Sequence, residues 1–110
     1  MTNIPFAEWE KLDLRVGQIK SVEDHPNAEK LYVLKVDLGT ETRTLVAGIR
    51  KHYKKEDLID KKVIVFANLE PAVLRGIKSE GMILASVDEK SDKVVLISPE
   101  EEVANGSKVR

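Results

Sequence analysis

The fold is decided by a short stretch near the amino terminus, Leu12-Asp13-Leu14-Arg15-Val16-Gly17-Gln18-Ile19. Its first apolar residues alternate with polar ones, which is typical of a strand buried on one face. After Gly17 the alternation slips by one residue. The pattern predicts an apolar residue at position 18, but position 18 is Gln18 and the next apolar residue is Ile19. A glycine with such a phase change predicts a β-bulge that bends the strand. A bent first strand can pair with two neighbours, as a small barrel requires.

Further short strands follow at close spacing. We predict them at Leu31 to Leu38, Arg43 to Ala47, Lys62 to Ala67, Met82 to Val87 and Val94 to Ile97. Residues 39–41 close a hairpin between the second and third strands, and residues 49–58 are expected to be helical or turn-like. The near-continuous apolar run of the fourth strand indicates burial on both faces. This order predicts an all-β protein with small helices, namely a five-stranded Greek-key barrel of the OB-fold type.

The two ends of the chain lie outside this barrel in the prediction. Pro5 is suited to open a short helix, on which Phe6 and Trp9 share one face. A helix of this length is not stable alone and must dock on the barrel or on a second subunit. With 110 residues the chain is one domain. We divide it into an N-terminal helix at residues 1–11, a barrel at 12–97 and a C-terminal appendage at 98–110.

Composition excludes several classes of protein. The chain has no cysteine, no apolar run long enough for a membrane-spanning helix and no signal peptide at its start. We therefore expect a cytoplasmic protein with no membrane partner. The net charge of −1 conceals an uneven layout, with nine cations and four anions in residues 43–78 and two cations and seven anions in residues 79–104. Such a layout can turn one positive face towards a polyanion, although charges that only solvate the surface would also produce it.

Catalytic chemistry is not visible. His25 and His52 are the only histidines, and neither has a metal-ligand spacing. No phosphate-cradling glycine motif or nucleophile elbow is present. We expect a protein that is not an enzyme and that uses no metal and no cofactor.

Binding of nucleic acid fits better. OB-folds bind oligonucleotides on the face of their second and third strands and on the adjacent loops, and residues 68–85 form a loop with two glycines and two flanking cations. The candidate RNA-binding residues are Arg15, Lys30, Lys35, Arg43, Asn68, Arg75, Lys78, Ser79 and Met82. Two alternatives stay open, since Met82 could belong to the core and Asn68 could fix its own loop. Aromatic residues are too few to stack successive bases, so we expect a structured RNA recognised by shape and backbone.

Four motifs resemble those of the tRNA-binding domain family. They are Asp13-Leu14-Arg15-Val16-Gly17-Gln18-Ile19, His25-Pro26-Asn27-Ala28-Glu29-Lys30-Leu31-Tyr32, Val46-Ala47-Gly48-Ile49, and residues 68–82 with Asn68-Leu69-Glu70-Pro71 and Arg75-Gly76-Ile77-Lys78-Ser79-Glu80-Gly81-Met82. The family includes C-terminal domains of methionyl-tRNA synthetases, free-standing tRNA-binding proteins and a small secretion chaperone. The resemblance implies an OB-fold and RNA contacts at Arg15, Asn68, Ser79 and Met82. It also implies that a free-standing member is a homodimer, here through Phe6, Trp9, Pro99, Val103 and Val109.

Two positions depart from the family pattern. Ala47 stands where the family often has serine, and Asp60 stands where glycine is usual. The resemblance implies a non-catalytic tRNA-binding protein that serves methionyl-tRNA synthetase as a separate subunit. The alternatives are a chaperone-like protein that binds unfolded peptides and a domain of a longer synthetase. Met1 and the absence of a linker argue against the last of these.

Overall fold

The computed structural model describes all 110 residues. Its elements in chain order are helix α1 (Phe6–Trp9), strands β1 (Leu14–Asp24), β2 (Tyr32–Asp37) and β3 (Thr42–Ala47), a 3₁₀ turn (Lys55–Asp57), and strands β4 (Lys62–Phe66), β5 (Ala72–Leu74), β6 (Ile77–Ser79), β7 (Met82–Ile83), β8 (Ala85–Asp88), β9 (Lys93–Leu96) and β10 (Lys108–Val109). The main sheet has the order β3-β2-β1-β4-β7, with β10 added beside β1, and it curls into a nearly closed barrel. Strands β5–β6 and β8–β9 form two separate hairpins. The predicted all-β, OB-type architecture is confirmed.

Strand β1 pairs with three partners along its length. Leu14 to Gln18 pairs with β4, while Gln18 to Asp24 pairs with β2. The bend between these halves was predicted at Gly17, and that position is wrong. The register shift lies between Ile19 and Ser21.

The slipped alternation around Gly17 has a different cause. Leu14 and Val16 point to the outside of the sheet, where they form a second apolar cluster with Ile64. Ile19 points into the barrel and belongs to the main core. The buried face of β1 therefore changes midway, because the first half is covered on its outer side.

Gly17 itself lies where the barrel wall is tightest. A Cβ atom added there would stand 2.6 Å from Val36 Cγ1, 3.0 Å from Leu38 Cδ2 and 3.1 Å from Val65 Cγ2. The absence of a side chain therefore lets β1 pass close to the side chains of β2 and β4, rather than relieving a bulge.

Strand β4 is covered on both faces, as predicted. Val63 and Val65 belong to the main core and Ile64 to the second cluster. The predicted fifth strand is divided into β7 and β8 at Leu84. The Leu84 N–H still donates to the Ile64 carbonyl (3.0 Å), but the Ile64 N–H donates to the Ile97 carbonyl (3.2 Å). Strand β8 then turns away to pair with β9.

The C-terminal segment is hydrogen-bonded to strand β1. The Val16 N–H donates to the Ser107 carbonyl (2.9 Å), and the Gly106 N–H donates to the Val16 carbonyl (2.7 Å). Val109 lies opposite Leu14 in β10 and packs against the second cluster. Within one chain, this part of residues 98–110 thus extends the edge of β1 beyond the point where β2 ends.

Two sequence features find a backbone explanation. Asp60 has a φ angle of 66°, a left-handed conformation that glycine adopts more easily, which accounts for the usual glycine at this position. Residues 68–85, predicted to be a loop, contain the β5–β6 hairpin. Its two-residue turn has φ angles of 52° at Arg75 and 94° at Gly76, as in the type I′ turns that match strand twist.

The remaining connections are irregular. Residues 49–58 consist of turns and the single 3₁₀ turn rather than a helix. No helix in the structure is long and apolar enough to cross a bilayer. No group of three or more His, Cys, Asp or Glu side chains is arranged to hold a metal ion.

Candidate nucleic-acid interface

Two of the candidate arginines are held by carboxylates two residues before them. Arg15 donates from Nε and Nη2 to the two carboxylate oxygens of Asp13, at 2.9 and 2.7 Å. Arg43 makes the same forked contact with Glu41, at 2.7 and 3.2 Å. Bidentate pairs of this kind are strong and directional. An RNA phosphate must therefore compete with a carboxylate for either guanidinium.

Arg43 has a further structural role. Its Nη1 donates to the carbonyl of Ala67 and to that of Glu80, the latter at 3.3 Å. It therefore joins β3 to the residue that follows β4 and to the residue that follows β6.

The two carboxylates are shifted in their titration by these pairs. The hydrogen bond from Arg15 is the largest of the effects that lower the pKa of Asp13. The hydrogen bond from Arg43 does the same for the pKa of Glu41. Both acids are thus harder to protonate in the folded state than in the unfolded chain, where no such donor is in place.

Acid should therefore weaken the fold through Asp13. A carboxyl whose folded-state pKa is lowered stabilises the protein above its unfolded pKa of about 3.9, and this stabilisation is lost as the pH falls through the lower folded value. Urea unfolding of the Asp13→Asn variant should show a smaller loss of stability below about pH 4 than the unchanged chain. An identical acid dependence in Asp13→Asn and in the unchanged chain would contradict this. Glu29→Gln, which changes a carboxylate with no ion pair, is the control.

Both polar atoms of the Asn68 side chain bond to backbone groups of the protein. Its Oδ1 accepts from the Asp13 N–H and its Nδ2 donates to the Lys11 carbonyl, both at 2.7 Å. This pair of bonds attaches the segment before β1 to the end of β4. Of the two alternatives for Asn68, the geometry favours a side chain that fixes the local structure.

Loss of these two bonds should destabilise the protein. We expect Asn68→Ala to lower the free energy of unfolding by about 1–2 kcal/mol, because two backbone groups lose their partner. Asn3→Ala, in the exposed N-terminal segment, should change the stability by less than about 0.5 kcal/mol. Chemical unfolding followed by circular dichroism measures both free energies of unfolding. Equal stabilities of the two variants would refute a stabilising role for the two Asn68 hydrogen bonds.

Ser79 is also engaged within the protein. Only 4% of its surface is exposed. Its hydroxyl accepts from the Val46 N–H and donates to the Gly81 carbonyl, both at 2.9 Å. A direct RNA contact by Ser79 would require these bonds to break. The contacts support a role in attaching β6 to β3.

Met82 is half exposed and lies on the rim of an apolar groove. Its exposed fraction is 44%, although its backbone, in β7, pairs with Phe66 of β4. The groove has a volume of about 380 Å³ and runs between the β5–β6 hairpin and the β8–β9 hairpin. Ala47, the position where the family often has serine, lines it together with Leu69 and Leu74. Met82 therefore belongs to the sheet through its backbone and to the surface through its side chain.

The remaining candidates are cations without acidic partners. Lys30, Arg75 and Lys78 form no ion pair, and all three are exposed. Lys35 is exposed on β2 and donates only to the Thr44 hydroxyl, at 2.5 Å. Lys30 and Arg75 line one open cleft. These four side chains can meet phosphate without first giving up a carboxylate.

Comparison with known proteins shows the family to which this domain belongs. The family model described as "Putative tRNA binding domain" matches residues 14–108. The chain belongs to the tRNA-binding domain family. It is 56% identical, over all 110 residues, to methionine–tRNA ligase from Pyrococcus furiosus, and it spans 15% of the length of that relative.

Solved structures of this tRNA-binding domain family have the same fold. The MetRS-related protein from Pyrococcus horikoshii is 37% identical with a TM-score of 0.93, and each chain is covered completely. The chaperone CsaA from Bacillus anthracis is 33% identical with a TM-score of 0.88, over 99% of this chain and all of the other. The matched family is a binding domain rather than a catalytic one.

The residues predicted for a dimer interface of the tRNA-binding domain are divided between two places. Phe6, Trp9 and Val109 line one groove of about 330 Å³. Phe6 is 70% exposed and Trp9 38% exposed. Pro99 and Val103 do not line this groove, and the Val103 carbonyl accepts a hydrogen bond from Lys62 Nζ. The structure thus brings three of the five together, and the interface itself stays a prediction.

Proposed function

We propose that this domain binds tRNA through its phosphate backbone and shape, and does so for methionyl-tRNA synthetase. The observation that carries the proposal is the set of unpaired cations Lys30, Lys35, Arg75 and Lys78 on a member of the tRNA-binding domain family. Phosphates attract such side chains without regard to base sequence. The apolar groove beside Met82 could accept one unstacked base.

The proposal includes a role in trans. The likeness to the MetRS-related protein from Pyrococcus horikoshii supports a domain that raises the local concentration of tRNA at a synthetase. A C-terminal domain within a longer synthetase would use the same surface. A cytoplasmic location, where synthetases meet tRNA, belongs to the same proposal.

Direct titration tests the binding. Fluorescently labelled, folded tRNA should bind saturably at low salt, and addition of salt should release it. The same tRNA unfolded by heating and held without magnesium should bind less well, because its shape is lost. No binding of folded tRNA at low salt would refute the proposed function.

Two observations favour a second function. The groove beside Met82 is lined mostly by apolar side chains, and the chain resembles the chaperone CsaA in structure. A groove of this kind could hold an apolar segment of an unfolded peptide. Competition between labelled tRNA and an unfolded, apolar peptide separates the two functions. The peptide should displace tRNA only if both use this groove.

We also propose that the free domain is a homodimer joined at the groove of Phe6, Trp9 and Val109. Burial of the exposed Trp9 ring would supply an anchor of the type that dominates interfaces. Light scattering across a dilution series should show a dimer, and Trp9→Ala should raise the dissociation constant at least roughly tenfold. Val87→Ala, at an exposed residue of the β8–β9 hairpin, should leave it unchanged. A monomeric mass for the unchanged chain at every concentration would contradict this interface.

A further inference from the structure

The imidazole of His25 is buried and both of its nitrogens are bonded. Only 3% of the residue is exposed. Nδ1 accepts from the Asn27 N–H at 3.0 Å, and Nε2 lies 2.9 Å from the Leu74 carbonyl oxygen. A backbone N–H can only donate and a carbonyl can only accept, so the proton must be on Nε2. The two contacts therefore require the neutral ring in one tautomer.

These contacts connect two segments that are distant in the sequence. Leu74 ends β5 and precedes the turn of the β5–β6 hairpin, whereas His25 follows β1. Asn27 adds a weaker bond from its Nδ2 to the Arg75 carbonyl, at 3.4 Å. No other hydrogen bond outside the hairpin reaches residues 72–78. The tip of the hairpin is thus attached to the rest of the protein through His25 and Asn27.

The attached tip carries an unpaired cation. Arg75 forms the turn and faces Lys30 across a cleft that Asn27, Ala28, Glu29 and Leu31 also line. Lys30 belongs to the same loop as His25. The spacing of these two cations depends on the connection between loop and hairpin. A hairpin released from His25 would keep its charge but lose its fixed position.

We propose that neutral His25 is a positioning residue for tRNA binding, holding Arg75 opposite Lys30 so that both contact one segment of RNA backbone. This inference rests on the proposed function. A fixed pair of cations has less conformational entropy to lose when it meets phosphate than two cations on independently moving segments. The contribution of His25 is therefore expressed through Arg75, and His25 itself does not contact RNA.

Two substitutions separate the bonds of His25. Glutamine places its amide nitrogen near the position of Nε2 and can still donate to the Leu74 carbonyl. Asparagine places its oxygen near the position of Nδ1 and can still accept from the Asn27 N–H, as in an Asx turn, but cannot reach the hairpin. We expect His25→Gln to retain tRNA affinity within about twofold and His25→Asn to lose about fivefold, the loss typical of one phosphate contact.

A double-mutant cycle then tests whether His25 acts through Arg75. Arg75→Ala alone should cost about fivefold in affinity. When it is combined with His25→Asn, the total loss should stay near fivefold, because both changes remove the same contribution. The affinity losses of Lys35→Ala, on β2, and of His25→Asn should instead multiply when the two changes are combined. Losses that multiply for His25→Asn and Arg75→Ala would overturn the proposal.

Measurements without RNA keep the test decisive if a variant is unstable. Nitrogen NMR of the unchanged chain should show His25 with its proton on Nε2. Hydrogen exchange of the amides in residues 72–79 should be faster in His25→Asn than in His25→Gln, while the amides of β1 and β4 exchange equally in both. A proton on Nδ1, or equal exchange in both variants, would refute the connection. If the unchanged chain bound no tRNA, the proposed function would fail, and faster exchange in His25→Asn would show a structural tie alone.

Discussion

Replacement of Gly17 by alanine should strongly destabilise the protein. The new Cβ would lie 2.6 Å from Val36 Cγ1, 3.0 Å from Leu38 Cδ2 and 3.1 Å from Val65 Cγ2. All three neighbours are buried in the main core, so none can move aside without disturbing others. We expect the free energy of unfolding to fall by about 2–4 kcal/mol.

Chemical unfolding followed by circular dichroism measures this change, and Gly48→Ala provides the matched control. Gly48 is exposed, and a Cβ there would meet only Leu31 Cδ2, at 3.7 Å. That variant should differ from the unchanged chain by less than about 1 kcal/mol. Equal stabilities of the two variants would contradict the prediction, because they would show that the neighbouring side chains can move to accommodate a methyl group at Gly17.

Affinity for tRNA should fall steeply with salt. If the four cations Lys30, Lys35, Arg75 and Lys78 each displace a counterion, the slope of log affinity against log salt is about −2.8 to −3.6. Between about 50 and about 200 mM salt, the affinity should then drop roughly 50- to 150-fold. The arginines paired with Asp13 and Glu41 should add little, since their carboxylates already neutralise them.

One substitution checks this count. Lys78→Ala should make the slope less steep by about one and weaken binding to different tRNAs alike, because phosphate contacts carry no base information. Lys90→Ala, in the acidic turn between β8 and β9, should leave the slope unchanged. Fluorescence anisotropy at several salt concentrations gives both values. A slope near zero for the unchanged chain would contradict backbone recognition.

The strands could be predicted from the sequence because their alternation survives in the barrel. Tyr32, Leu34, Val36 and Leu38 alternate in the sequence and are all buried. The slip at Gly17 was detected correctly and explained wrongly. Periodicity shows that the buried face changes, but it does not distinguish an inserted residue from a second cluster that covers the outer face of the same strand.

The candidate site was harder to predict, because residue type does not show what a side chain already contacts. Asn68 and Ser79 have the chemistry to bind RNA, yet the fold uses their polar groups. A signal existed for the arginines, since Asp13 and Glu41 each precede an arginine by two residues, a spacing that places both on one face of a strand. His25 carried no signal for its role, because its partner Leu74 lies in a distant hairpin.

The pairing of β10 with the start of β1 also has a consequence for synthesis of the chain. Leu14 leaves the ribosome nearly a whole domain ahead of its partner Val109. Pairing over so long a separation is slow, because a large loop must close before the contact forms. Until then the outer apolar side of β1 is open to water and to neighbouring nascent chains. Polypeptides interrupted before residue 105 should therefore aggregate more readily than the whole domain, even though they contain strands β1 to β9.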